Sequence, residues 1–106
     1  IIVGRKRLAE GQPLQAVVVN NKVSNVFPSD GSGVSNSERV CEAAAKALGL
    51  PGGAASVLPS STGVIGWRLP GDELVAAMPE AVKSLQGESA LPGAKGIMTT
   101  DRYPKL

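Results

Sequence analysis

The 106-residue chain contains no histidine, a single cysteine, and one each of tryptophan, tyrosine and phenylalanine. Each scarcity removes a class of chemistry. Without histidine the chain holds no Ser-His-Asp or Cys-His nucleophile of its own, because those nucleophiles need an imidazole base. The lone Cys41 excludes an internal disulfide, and with no histidine beside it a zinc site lacks its usual ligands. A solitary cysteine also points toward a reducing compartment, so the expected location is cytoplasmic. With so few rings, Val, Leu, Ile and Ala must fill the core. The one basic cluster, Arg5-Lys6-Arg7, has no aromatic residue interleaved with it. It reads as a solvated turn, and nucleic acid is not an expected partner. No apolar run approaches the roughly 20 residues that cross a bilayer, and no signal-peptide pattern is visible, so no membrane partner is expected either.

What is present is an α/β pattern. Gln15 to Asn20, "QAVVVN", is a β-branched run that reads as a strand covered on both faces. The following "NNKVSNVFPSDGSG" is rich in Asn, Ser and Gly and reads as a loop. Ser35 and Glu38 then form a capping box for a helix carrying Val40, Ala44, Ala47 and Leu48 at helical spacing. Cys41 falls inside it as a small buried hydrophobe. Gly49 supplies the left-handed closing residue, Leu50 folds back, and Pro51 blocks continuation. "SVLPSSTGVIG" predicts strand, irregular turn, strand, because Pro59 and Gly63 interrupt a regular ladder. Asp72 is placed to cap a second helix bearing Leu74, Met78, Val82 and Leu85 and ending at Gly87, with Pro79 inside it. A last short strand is expected from Gly96 to Thr100. The order β-α-β-α-β implies a layered α/β fold with the helices on one face of a mixed sheet. The chain opens on Ile1 and stops at Leu106 without a tapering polar tail. We expect a single partial domain, residues 1–106, belonging to a longer protein.

Three segments could carry chemistry. At Thr62-Gly63 a hydroxyl and a backbone N–H stand side by side at a break in the strand. Glycine has no Cβ, so a ligand can approach its backbone closely. Two such donors can form an oxyanion hole, in which one donor is worth roughly 2.7–4 kcal/mol of transition-state stabilisation. The same tripeptide also occurs in ordinary turns. The Gly-rich "SDGSGVSNSE" precedes a helix N-terminus and could cradle an anion. It lacks both the dinucleotide-binding glycine spacing and a Walker lysine. "GIMTTDRYPK" offers Thr99 and Thr100, which strand alternation would send to opposite faces. Asp101 and Lys105 can pair with each other on the surface.

Together these segments resemble a known family. "VLPSSTGVIGWRLP" followed downstream by "GIMTTDRYPK" is similar to the "STGVIG…LP" and "MTTD-x-x-PK" segments of the bifunctional ornithine acetyltransferase / N-acetylglutamate synthase family of arginine biosynthesis. Upstream, "VVVNNKVSN" and "SERVCEAAAKALGLP" resemble that family's "VVNSGNAN" loop and the helix after it. The resemblance implies a precursor that cuts itself before an internal threonine. That threonine becomes the nucleophile at the N-terminus of a β chain. It accepts acetyl from N-acetylornithine as an acyl-enzyme and passes it to glutamate. Its own amine serves as base, so no histidine is required. By the same resemblance Thr62 and Gly63 match the oxyanion hole, and Thr99 or Thr100 a substrate-binding threonine, with spacing favouring Thr99.

The resemblance further implies a larger αββα-type, N-terminal-nucleophile-like fold and an assembly of α and β chains. It implies no bound cofactor, with acetyl-CoA as an alternative acetyl donor. The sequence stops short of the segment that would carry the nucleophile, so this piece alone is expected to be inactive. Two departures stand out. Trp67-Arg68 replaces a common Glu-Pro, and Lys22 stands where glycine is commoner. Two other readings remain: a self-processing aminopeptidase or amidase of the same architecture, and a non-catalytic anion-binding module.

Overall fold

The computed structural model describes residues 1–105. Strand β1 (Ala16–Asn20) and strand β2 (Val57–Ser61) pair in parallel, with Ala16 opposite Val57 and Asn20 opposite Ser61. A parallel pair needs a crossover connection. Here it is a long helix, Gly33–Leu48, followed by a 3₁₀ turn at Gly53–Ser56. Three further helices complete the fold. In chain order the four are α1 (Ile2–Glu10), α2 (Gly33–Leu48), α3 (Gly71–Lys83) and α4 (Leu91–Gly96).

The core lies between α2 and one face of the strand pair. Val40, Cys41, Ala44 and Ala45 of α2 pack with Val57 and with Met78 of α3, and Ala16, Val18 and Leu74 close its edges. The alanines let the helix approach the strands closely. Cys41 and Val57 are fully buried, and burial of a valine side chain is worth about 1.5–3 kcal/mol. As expected, α2 ends at a left-handed Gly49 (φ 67°), and the Leu50 N–H returns to the Ala45 carbonyl at 2.9 Å.

Several expectations are corrected. The sheet is purely parallel and two-stranded among the described residues, not mixed. The strand expected at Gly96–Thr100 is absent: α4 runs through Gly96, and a bend carries the chain onward. The carbonyls of Gly96 and Met98 are instead taken by the Asn21 side chain, at 2.9 and 2.6 Å, so no ladder forms there. Nor is β1 covered on both faces. Val17 and Val19, pointing away from α2, are 61% and 47% exposed. The helices do not share one face, since α4 borders a shallow hollow with Val19, on the side opposite α2.

The helix starts also differ. The Ser35/Glu38 box does not form. Helix α2 begins at Gly33 after Ser32, and the Ser35 hydroxyl donates to the Ser32 carbonyl at 3.0 Å. Glu38 is taken by Arg7. Asp72 lies inside the first turn of α3, behind Pro70, and pairs with Arg39 of α2. Helix α3 stops at Lys83 rather than Gly87, passing through Pro79 on its exposed side, and Leu85 is left in solvent.

The basic cluster is not a solvated turn but part of α1. Arg7 is only 3% exposed. It bonds Glu38 and donates from Nε to the Val57 carbonyl at 3.4 Å, which fixes α1 beside β2. Burial would depress its pKa, but the hydrogen bond and charge of Glu38 outweigh that and the net shift is upward. Burial likewise pushes the Cys41 thiol up, against the opposing charge of Arg7. The thiol is thus protonated at neutral pH, and its part is packing.

Candidate active site

The parallel pairing does not stop at the strand ends. The Thr62 N–H donates to the Asn20 carbonyl (3.1 Å), Val64 N–H to Lys22 (3.0 Å), Ser24 N–H to Val64 (2.9 Å) and Gly66 N–H to Val26 (2.9 Å). Val23 and Val64 form an isolated parallel bridge. The two loops leaving the sheet therefore run together, but the strand expected after Gly63 is reduced to the single Val64 bridge. Pro59 sits within β2 opposite Val18 instead of interrupting the ladder, because a parallel edge position leaves its missing N–H uncalled for. Ligands in open α/β sheets bind beyond the carboxyl ends of the strands, and this is that end.

Asn20 ties the ends together. Its Nδ2 donates to the Val23 carbonyl at 2.8 Å, and its Oδ1 accepts from the Ser61 hydroxyl. Asn21 does the same across a longer span. Its Nδ2 holds Gly96 and Met98, and its Oδ1 accepts the Lys22 N–H at 2.6 Å. The "TTD" segment is thereby drawn against the loops after β1 and β2. In the sequence Asn20 closes the predicted strand and Asn21 stands in the loop after it, and neither is marked as a tie between segments. The available signal was two adjacent amides directly after a β-branched run, where side chains can satisfy the backbone groups that the ladder leaves unpaired.

The result is an open cleft of about 580 Å³ lined by Thr62, Gly63, Thr99 and Thr100, with Asn21, Lys22, Val64 and Met98 completing its walls. All four residues singled out from the sequence come together here, although the pairs lie in separate segments. Thr62 and Gly63 are half-buried, whereas Thr99 and Thr100 are exposed. Alternation along a strand is not what separates the two threonines, because no strand forms there and both border the same space. Among the described residues, neither the Thr62 hydroxyl nor the Gly63 N–H is engaged in a hydrogen bond.

Gly63 has φ 125°, and a Cβ built on it would meet the carbonyl carbon and oxygen of Lys22 at 2.4 Å. The facing Lys22 has φ 91°. A side chain held at such a φ costs on the order of 1–3 kcal/mol. Lys22→Gly should therefore raise stability by about 1 kcal/mol, the greater freedom of the unfolded chain offsetting part of the relief. Equilibrium unfolding in urea checks this, and a lower midpoint for the variant would contradict the strain.

Asp101 organises the threonine wall. It accepts from Lys105 Nζ and, at 3.4 Å, from the Thr99 N–H. The hydrogen bond to Lys105, then that from Thr99, holds its carboxyl below the ordinary value. A depressed carboxylate contributes to the folded state above its unfolded pKa and loses that contribution as pH falls through the folded one. Acidification below about pH 4 should thus loosen this turn, and Asp101→Asn should loosen it at neutral pH. Hydrogen exchange at the Thr99 amide, corrected for intrinsic rates, reads both. Unchanged protection in each case would remove Asp101 from that role.

The "SDGSG" loop is differently occupied. Asp30 Oδ1 accepts both the N–H and the hydroxyl of Ser32, at 3.1 and 2.5 Å. Its Oδ2 lies 3.4 Å from Arg68 Nε. The hydrogen bonds from Ser32 lower the Asp30 carboxyl below its usual range. A carboxylate of the chain thus already takes the Ser32 N–H just ahead of α2, and its charge opposes a second anion there. Among the described residues no His/Cys/Asp/Glu cluster could hold a metal ion, and no helix is long and apolar enough to cross a membrane.

A helix-wrapped parallel pair with an open cleft beyond its carboxyl ends defines a small α/β unit. Comparison makes this specific: the ArgJ family profile matches residues 1–106, and the chain belongs to that family. It is 37% identical over 106 residues to the arginine biosynthesis bifunctional protein ArgJ of Nitratidesulfovibrio vulgaris, covering 100% of this chain and 26% of the relative. It is 40% identical over 95 residues to the mitochondrial ArgJ of Podospora anserina, covering 88% of this chain and 19% of the relative. Among solved structures it resembles the ornithine acetyltransferase of Mycobacterium tuberculosis, determined in complex with ornithine. The TM-score is 0.85 at 34% identity, over 96% of this chain and 54% of the other. The chain thus spans about a quarter of the length of the first of these curated relatives.

Proposed function

We propose that this chain forms one wall of the active site of an acetyltransferase that moves an acetyl group from N-acetylornithine to glutamate. The observation that carries the reading is the cleft itself. It gathers Thr62, Gly63, Thr99 and Thr100 from two segments around one space, with the Thr62 hydroxyl and Gly63 N–H unengaged among the described residues. In the proposed reaction a threonine hydroxyl from polypeptide beyond this chain attacks the acetyl carbonyl. Its proton passes by way of a base to the departing amine, and ornithine leaves. The amine of glutamate then attacks the acyl-enzyme, loses a proton to the same base and restores the hydroxyl. Thr62 and Gly63 donate to the carbonyl oxygen as it gains charge in both steps. Thr99, with Thr100 beside it, holds the substrate. The acetyl group moves from amide to ester to amide, so no cofactor enters the cycle.

In this reading the exposed Val17 and Val19 face is covered by the rest of a longer, self-cleaving polypeptide, which completes an αββα-type fold and an assembly of α and β chains. The single cysteine suits a reducing compartment. The mitochondrial member of the family shows that the cytosol is not the one setting in which such a protein works.

The full-length protein carrying this chain, given N-acetylornithine and glutamate, should release ornithine and N-acetylglutamate in equal amounts. Release of ornithine and acetate at a rate indifferent to glutamate would instead identify an amidase. Failure to consume N-acetylornithine at all would end the acetyltransferase reading. The anion-binding alternative is disfavoured by Asp30, whose carboxylate bonds Ser32 just ahead of α2 and would repel an anion there.

A further inference from the structure

The cleft is lined by one charged residue, Lys22, and every other lining side chain among the described residues is neutral. Lys22 is exposed and takes part in none of the ion pairs formed among the described residues. Its backbone is not free to drift. The N–H is held by Asn21 Oδ1 at 2.6 Å, the carbonyl accepts the Val64 N–H at 3.0 Å, and Gly63 is pressed against it. At φ 91° a lysine is an unfavourable choice where glycine would be unstrained. An unfavourable residue held firmly at a cleft is a pointer to function.

We propose that Lys22 is a specificity residue whose ammonium favours the anionic acetyl acceptor over the acetyl donor. The inference rests on the acetyltransferase reading above. Glutamate carries two carboxylates and one ammonium, a net charge of −1. N-acetylornithine carries one carboxylate and one side-chain ammonium, a net charge of zero. A cation carried on this anchored backbone beside the cleft therefore attracts the acceptor and does little for the donor. Exposed charges act weakly in salt, so the effect belongs in the acceptor's KM and in its ionic-strength dependence rather than in kcat.

The test uses the full-length enzyme with two half-reactions measured separately: ornithine release from N-acetylornithine, and acetyl transfer to glutamate. Lys22→Gln removes the charge and keeps the Cβ. Lys22→Gly removes the charge and relieves the backbone. Both should raise the KM for glutamate by about fivefold at low salt while kcat and the KM for N-acetylornithine stay within about twofold. Lys22→Arg should keep the wild-type KM for glutamate. Added salt should raise that KM for the wild type and leave it flat for Lys22→Gln. Glutamate KM values for both neutral variants equal to wild type would overturn the assignment, as would equal losses for donor and acceptor. A wild-type enzyme that releases no ornithine in the first half-reaction refutes the acetyltransferase reading instead, and so separates the two failures.

Discussion

Gly63→Ala should destabilise the protein by about 3–5 kcal/mol and take the cleft with it. Two costs add. The backbone sits at φ 125°, which a side chain rarely adopts. The new Cβ would also stand 2.4 Å from the carbonyl carbon and oxygen of Lys22. Backbone atoms cannot swing aside as the tip of a side chain can. Lys22 in turn is tied to Val64 by a 3.0 Å hydrogen bond and to the Asn21 side chain. Relief therefore means parting the loop after β1 from the loop after β2. Urea unfolding of the full-length protein reads the stability, and the acetyl-transfer assay reads the site. A loss below about 1 kcal/mol, well under the usual cost of such strain, with activity intact would show that the two backbones are not pressed together as described.

Thr62→Ala separates chemistry from folding. The Thr62 N–H is already spent on the Asn20 carbonyl at 3.1 Å, and that bond survives the substitution. The hydroxyl makes no hydrogen bond among the described residues, so its removal leaves no structural partner unsatisfied. Stability should change by less than about 1 kcal/mol, as for a surface site without a named structural role. Turnover should fall by about 10²-fold or more, the usual consequence of deleting one oxyanion donor. Thr62→Ser, which keeps the hydroxyl, should recover most of it. Normal turnover in the alanine variant would place the oxyanion elsewhere and leave Thr62 as a simple loop residue.

Elements written in local chemistry were legible in the sequence. A β-branched run can hardly be anything but a strand, and "QAVVVN" is β1. A left-handed glycine followed by an apolar residue and proline closes a helix, and α2 closes at Gly49 in that way. Cys41 among alanines is buried as expected. The helix starts were misread because local motifs compete with distant partners. Glu38 could reach back to its own helix or out to Arg7, and an almost fully buried guanidinium is the more demanding claimant. Helix α1 is not legible in the sequence because its basic residues break up the apolar pattern, and Arg7, buried there with Val3, binds residues far along the chain. The strand expected at Gly96–Thr100 failed for a related reason. Its carbonyls were claimed by an asparagine 75 residues earlier in the case of Gly96, and no periodicity within the segment encodes that.

The sequence by itself determined which groups could do the chemistry. Without histidine, what this chain can offer is hydroxyl and backbone donors, and Thr62, Gly63, Thr99 and Thr100 are the candidates it presents. Only the tertiary structure decided that these groups share one cleft. Two short strands in parallel carry the ends of β1 and β2 out side by side, and the Asn21 amide draws in the third segment. The tertiary structure also decided that a lysine, and not a neutral residue, borders that space. Such meetings arise from hydrogen bonds between residues far apart in the chain, and a one-dimensional pattern records residue types and spacing but not which distant partners find each other.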